Sequence, residues 1–540
     1  MEFDYIIIGA GSAGCVLANR LSENANNKVV ILEAGGNDTN INIRIPGAYA
    51  NLHNSKDNWN FWTEPQEHVL NRKIYLPRGK TLGGSSSINA MVYVRGNRSD
   101  YDRWAELGNK GWSYNEVLPY FIRSEKHEQA NKVDVGYHGN DGELNVTFPT
   151  RFKTPFADAF VESCTKVGIP NNPDYNGEKQ EGASLSQCTI KDGKRCSSAV
   201  AFLKPALNRP NLTAIRHAQV TKILFEGKKA VGVEYIKDSK KQKVFSTREI
   251  ILSAGALQSP QILLLSGVGD YKTLETHGIH PVQELKGVGQ NLQDHLFLPV
   301  SCEANVQKGL NQYIPLMKQL RAAWDYFVNK KGPFNATPLE AMAFLNIDDK
   351  DAPVNFQLHF APIWGGKGYD YDLYDLKSLP TVDGFTILPT LLHPKSRGFV
   401  SLRSNNPTDA PLVQPNFLKE KEDLDILVKG VKLAMEIFKQ SAFKKYIKTQ
   451  APPINIESEA AIIQHIKKTV ETVYHPVGTC KMGNDEMSVV DADLKVHGIE
   501  GLRVADASIM PEIVSGNTNA PTIMIGEKAA DLIKGIKTNQ

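Results

Sequence analysis

The stretch Phe3 to Glu33, FDYIIIGAGSAGCVLANRLSENANNKVVILE, decides the fold. Tyr5-Ile6-Ile7-Ile8 is a short apolar run rich in β-branched residues and predicts a buried strand. Gly9, Gly11 and Gly14 follow at once in G-x-G-x-x-G spacing, and Val16, Leu17, Ala18 and Leu21 continue at helical spacing. A second apolar strand, Val29 to Leu32, ends in the carboxylate Glu33. Each part has a physical task. Gly9 permits the tight turn, Gly11 lets the backbone approach a pyrophosphate, and Gly14 lets helix and strand pack closely. Phosphates sit at the positive end of the helix, and Glu33 accepts hydrogen bonds from a ribose. Strand, glycines, helix, strand and acid in this order predict an α/β fold with a Rossmann-like dinucleotide-binding unit.

Four further stretches point to the same site. Pro77 to Ala90, PRGKTLGGSSSINA, clusters glycine and serine with Arg78 and Lys80. Such a run offers exposed N–H groups, hydroxyls and positive charge for a second pass against phosphates or a flavin ring. Glu249 to Ala256 reads as a buried strand ending in Ser253-Ala254-Gly255, small residues that allow close backbone approach. Near the end, Leu502 to Ala507 is a strand closing in Asp506, and Gly516 to Thr522 opens a final helix. Pro521 suits the first turn of that helix, whose free N–H groups make another anion site.

The 540 residues exceed one hydrophobic core, so two or more domains are expected. A net charge of +3 with interspersed signs gives no footprint for nucleic acid. No apolar run approaches the roughly 20 residues that span a bilayer, and a strand beginning so near Met1 leaves no room for a signal peptide. Six scattered cysteines without a C-x-x-C pair read as reduced thiols of a cytoplasmic protein. Residues 126–192 are mixed and read as peripheral. From 217 the period becomes two, which predicts a small meander over Val220 to Phe225, Ala230 to Ile236 and Lys243 to Ser246. Residues 301–465 are dense in aromatics, with strands at Phe356 to Phe360, Thr386 to Leu391 and Gly398 to Leu402 and a helix at Leu424 to Phe438. They predict the bulk of a second domain on an antiparallel sheet. Tyr313 to Asn329 has amphipathic character, which reads first as a helix packed on the body.

Four separated blocks resemble the glucose–methanol–choline family of flavin oxidoreductases, nearly end to end. They are Gly9-x-Gly11-x-x-Gly14 with Glu33; Gly79 to Asn89; Gly255 to Pro260 through Ser266 to Gly269; and His475-Pro476 with Asn517. Within that family the chain is similar to choline and medium-chain alcohol dehydrogenases. The resemblance implies FAD. Gly9, Gly11, Ser12, Ala13 and Gly14 would hold the pyrophosphate, and Glu33 would take the adenosine ribose. Gly84, Asn89, Ala90 and Val92 would lie along the flavin, and Val220 would meet the adenine. Asp506 and Ala507 would approach the ribityl chain and pyrophosphate, and Asn519 and Thr522 the isoalloxazine. Ala34, Arg78, Gly79, Gly83, Ser85, Met91, Ala254 and Gly255 are further cofactor-binding candidates. Some members attach FAD through a histidine in the second block. Here Ser87-Ile88 stand there, so the FAD is expected to be non-covalent. The implied domains are 1–150, 193–300 and 466–540 for FAD, and 151–192 and 301–465 for substrate.

By the same resemblance, His475 is the base that takes the alcohol proton and Asn517 holds the same oxygen, while hydride passes to flavin N5. Glu340 and Tyr474 are the candidates for the substrate pocket. The expected activity is oxidation of a primary alcohol to an aldehyde, with a small-molecule alcohol as substrate and a quinone or other acceptor taking the electrons. Choline dehydrogenase and an O₂-using alcohol oxidase stay open, as does a lyase or photodecarboxylase of the same fold. The last is disfavoured because no cysteine lies between Cys302 and Cys480. The expected location is cytoplasmic, with contact at the inner face of a membrane left open, and no metal is expected.

Overall fold

A computed structural model describes residues 2–366, 368, 369, 372, 374–451 and 454–536. Two sheets carry the fold. In the first, parallel strands lie in the order Leu212–Ile215, Val29–Leu32, Glu2–Ile8, Lys240–Leu252 and Leu502–Val504. Their registers end level. Ile8 lies opposite Leu32 and Leu252, Leu32 opposite Ile215, and Leu252 opposite Val504. Gly9, Glu33, Ser253 and Ala505 therefore leave the sheet along one edge, the carboxyl edge where open α/β sheets bind ligands.

Lys240–Leu252 is one strand of 13 residues, where the sequence reading separates a meander strand from a buried one. Its first half pairs antiparallel with Lys229–Lys237 and its last residues run parallel to the first strand. The two halves differ in burial because the meander has a solvated face and the parallel part does not. The glycine helix, Ser12–Leu21, packs on the final helix, Asn519–Lys534. Gly526 allows this approach, since a Cβ there would stand 2.9 Å from the Ala13 carbonyl oxygen. The buried Glu527 ties the pair by accepting from Arg20 and Arg123, each at 2.7 Å.

The second sheet is antiparallel, in the order Ile447–Ala451, Val300–Ala304, Gly384–Leu391, Phe356–Ala361, Ala341–Leu345 and Gly182–Leu185. Strand periodicity sorts its residues. Leu358, Phe360, Phe385 and Ile387 face a core with the helices Pro155–Lys166 and Lys421–Phe438. The alternate residues His359, Ala361, Thr386 and Leu388 face a cavity on the other side. Most of the aromatic density of 301–465 thus goes to packing. Phe399–Ser401, expected in this sheet, pairs instead with Leu412–Gln414. That hairpin packs beside Phe61, Leu257 and Leu292 in a separate apolar cluster. Residues 126–192 are not peripheral either, because they contribute Pro155–Lys166 and Gly182–Leu185 to the buried core. No helix among the described residues is long and apolar enough to cross a membrane. The six cysteines are buried, and none is in a disulfide.

Candidate active site

The carboxyl edge of the first sheet and the open face of the second enclose a cavity of about 790 Å³. Its first wall is the glycine turn. Gly9 has φ +97°, a conformation that an L side chain rarely adopts, and its N–H donates to the Leu32 carbonyl at 2.8 Å. Gly11, Ser12 and Ala13 line the cavity at the N-terminus of their helix. Gly14 does not line it. A Cβ there would stand 1.9 Å from the Gly9 carbonyl oxygen, so its task is packing. Glu33 accepts N–H bonds from Ala10 and Gly35 at 2.9 and 2.8 Å. Burial pushes its pKa up to about 7 against those hydrogen bonds. The carboxylate therefore braces the turn and still lines the cavity beside Ala34.

The second wall comes from the serine–glycine run. Gly83 donates to the Ala10 carbonyl at 2.7 Å but stays behind the lining. A Cβ on Gly84 would come 2.8 Å from the Gly11 Cα, so the two loops touch backbone to backbone. Gly79, Gly84, Ser85, Asn89, Ala90, Met91 and Val92 all line the cavity. Asn89 accepts from Arg195 at 2.7 Å. Val220, Ala254, Gly255, Asp506, Ala507, Asn519 and Thr522 complete this end. Asp506 accepts from the Gly255 N–H at 2.8 Å and the Ser259 hydroxyl at 2.6 Å. Ser12 donates to the Asn519 side-chain oxygen at 2.8 Å, which joins the N-termini of two helices over one spot. Two converging helix N-termini, an open glycine backbone and a buried acid at the strand ends fit the diphosphate and ribose of a dinucleotide.

The far end holds His475. Its N–H donates to Asp294 at 2.8 Å, its Nδ1 lies 3.0 Å from Nδ1 of His295, and its Nε2 lies 3.2 Å from Nδ2 of Asn517. The protonation states follow. Burial holds His295 down to about 3 and His359 to about 4, and it drives His475 well below the usual imidazole value, with the two histidines and Arg78 adding to the effect. All three rings are neutral at pH 7. Asn517 Nδ2 can only donate, so Nε2 of His475 is an acceptor, the His475 proton lies on Nδ1, and Nδ1 of His295 accepts it. His475 then donates from Nδ1 and keeps a lone pair on Nε2, which the Asn517 amide N–H meets. Asn517 Oδ1 and His359 Nε2 are buried without a partner. Arg78 donates to the Tyr474 carbonyl, and Tyr474 shares a hydroxyl contact of 3.0 Å with Tyr374 on the cavity wall.

Glu340 is the one proposed pocket residue that the structure moves elsewhere. It is buried outside the cavity lining, and its carboxylate accepts from the Thr154 N–H at 3.0 Å and the Thr154 hydroxyl at 2.6 Å. Thr154 precedes the helix Pro155–Lys166, so the acid anchors that helix start. Burial raises its pKa to about 7. Glu340→Gln is accordingly expected to lower stability by about 1–2 kcal/mol while leaving kcat/KM for alcohol within about twofold. Thermal melts and steady-state assays check this, and a large activity loss at unchanged stability would return Glu340 to the site. Sequence reading missed Asp294, His295 and His359. None carries a motif, and only the order of the second sheet and its flanking loops brings them to His475.

A family model described as GMC oxidoreductase matches residues 3–297, and its C-terminal counterpart matches residues 394–526. An alcohol dehydrogenase [acceptor] of Pseudomonas putida is 44% identical over 98% of this chain and 95% of its own length. The mitochondrial choline dehydrogenase of Mus musculus is 42% identical over 99% of this chain and 90% of its own. A solved structure of formate oxidase from Aspergillus oryzae, studied for FAD modification, superposes with a TM-score of 0.91 at 28% identity, covering 99% of this chain and 98% of that one.

Proposed function

Because this chain belongs to the GMC oxidoreductase family, we propose that it oxidises a primary alcohol to an aldehyde and passes the electrons to a quinone or another acceptor. FAD is its cofactor and supplies, when bound, the acceptor for a hydride from the carbinol carbon. His475 takes the hydroxyl proton at Nε2, and Asn517 orients the oxygen that loses it. His295 and Asp294 fix the ring and backbone of that base before substrate arrives. The helix start at Asn519 and Thr522 favours negative charge beside it. Ser87 and Ile88 leave no imidazole for a covalent link in the second block, so the FAD is held by these non-covalent contacts.

One observation carries the reading. A neutral imidazole lone pair meets an amide in the same cavity that the glycine edge lines. A second observation bears on the substrate. Among the described residues of the cavity, the acids are Glu33 and Asp506, both at the dinucleotide end, and Asp375, which caps a turn by accepting from Lys377 at 2.9 Å. Among the described residues of the lining, no buried carboxylate stands beside His475 to balance a quaternary ammonium, and this favours a neutral alcohol over choline. Anaerobic mixing of the FAD-loaded protein with hexanol, benzyl alcohol, glycerol and choline tests both points. Fast bleaching of the flavin by the first two is expected. Bleaching by choline alone would move the assignment to choline oxidation, and no bleaching by any alcohol would overturn the redox reading. Peroxide formation in air would identify O₂ as the acceptor.

A further inference from the structure

The amphipathic segment after Tyr313 does not pack as its sequence suggests. It forms the helix Leu316–Trp324, continued by the turn Asp325–Asn329. Ala322 and Tyr326 face inward, and the Tyr326 hydroxyl donates to the Gly193 carbonyl at 3.0 Å. The opposite side carries Leu316, Met317, Leu320, Trp324, Phe327 and Val328, each more than half exposed. Their spacing of i, i+1, i+4, i+8, i+11 and i+12 makes one stripe of a helix. A contiguous apolar stripe of this kind is rare on a surface that faces only water. Around it stand the exposed cations Lys318, Arg321, Lys330 and Lys331, against a single acid, Asp325. Large apolar residues with tryptophan on one face and lysine and arginine beside them match a helix lying in the headgroup layer of an anionic bilayer.

The helix also adjoins the cavity. Ile314 before it, Gln319 on it, and Pro333 and Phe334 after it all line the cavity, and Gln319 is itself solvent-exposed. We propose that this stripe docks the protein on an anionic lipid surface, with the helix in the headgroup layer beside the opening of the cavity. The cations select the lipid charge, and the apolar stripe supplies the insertion. This surface assignment stands independently of which alcohol is oxidised, because its test reads lipid binding and not turnover.

The experiment is co-sedimentation of the FAD-loaded full chain with vesicles of phosphatidylcholine alone and of phosphatidylcholine with phosphatidylglycerol. Binding to the anionic vesicles is expected, weakened by salt and much weaker on the neutral ones. The double variant Leu320→Glu/Trp324→Glu should lose about tenfold or more of that binding. It should keep its flavin spectrum and its rate with a water-soluble alcohol, since neither residue lines the cavity. Lys330→Glu/Lys331→Glu should lose the preference for anionic lipid. Failure to bind either vesicle, or binding that the double variant leaves intact, overturns the proposal. So does a dimer in light scattering that the double variant splits in the absence of lipid binding, which would assign the stripe to a second copy of the chain.

Discussion

His475→Ala should slow flavin reduction by alcohol by about 10²- to 10⁴-fold, with FAD still bound. The expected size follows from the base's role in the transition state. His475 is the neutral group whose Nε2 meets the Asn517 amide in the cavity. Truncation removes the acceptor for the proton, while the contacts that brace the glycine turn and the serine–glycine loop are untouched. Anaerobic stopped-flow at saturating alcohol measures the effect directly. The pH profile gives an independent check. Burial lowers the pKa of His475 below its ordinary value of about 6.5. The neutral form is the base, so activity is present above the lowered pKa and is lost as pH falls through it. The wild-type reduction rate should therefore stay level from pH 7 down through about 6.5, where an exposed imidazole would already be half protonated. Reduction at the wild-type rate in His475→Ala, or an acid limb centred above neutrality, would remove His475 from the chemistry.

The second large effect separates two glycines of one motif. Gly14→Ala puts a methyl group 1.9 Å from the Gly9 carbonyl oxygen and 3.1 Å from its carbon. Both are backbone atoms of the turn, so neither can move aside without opening it. A loss of about 3 kcal/mol or more in the apoprotein is expected, seen as insoluble or early-melting protein. Gly11→Ala is the contrast. Gly11 has φ −80°, and the nearest atom to its added Cβ, the Ser253 carbonyl oxygen, is 3.9 Å away. That variant should fold with nearly unchanged apoprotein stability. Its methyl group enters the space beside the helix start, so FAD should dissociate about tenfold or more faster. Thermal melts of both apoproteins and fluorescence of released flavin distinguish the two. Equal behaviour of the pair would mean that the motif's glycines do not divide their work between packing and ligand approach.

The motif was legible because its information is local. Turn, helix start and strand end occur within Ile8 to Glu33, and glycine spacing encodes the backbone geometry directly. Asp506 and Gly255 stand out for the same reason, as small or acidic residues at strand ends, and both line the cavity. Asp294, His295 and His359 beside His475 were not legible. His295 lies 180 positions away, and the bond between the two rings depends on how two loops meet above the second sheet. Glu340 shows the opposite error. A carboxylate beside a strand in an aromatic region looked like a ligand for substrate, but the strand's pairing turns it toward Thr154. For Leu316–Trp324, periodicity locates an apolar face without saying what covers it.

The joint between the glycine helix and the final helix sets an order of assembly. The Ser12 hydroxyl and the Asn519 side chain are 507 positions apart, and Arg20 and Glu527 are separated by as much. A ribosome delivers the first of each pair long before the second. The nascent chain can form its opening strand–helix–strand early, yet the wall that faces it is translated 507 positions later. Cofactor capture is thus deferred until the helix Asn519–Lys534 has been made. Prematurely terminated chains, which lack that closing helix, should remain colourless and fall to proteolysis.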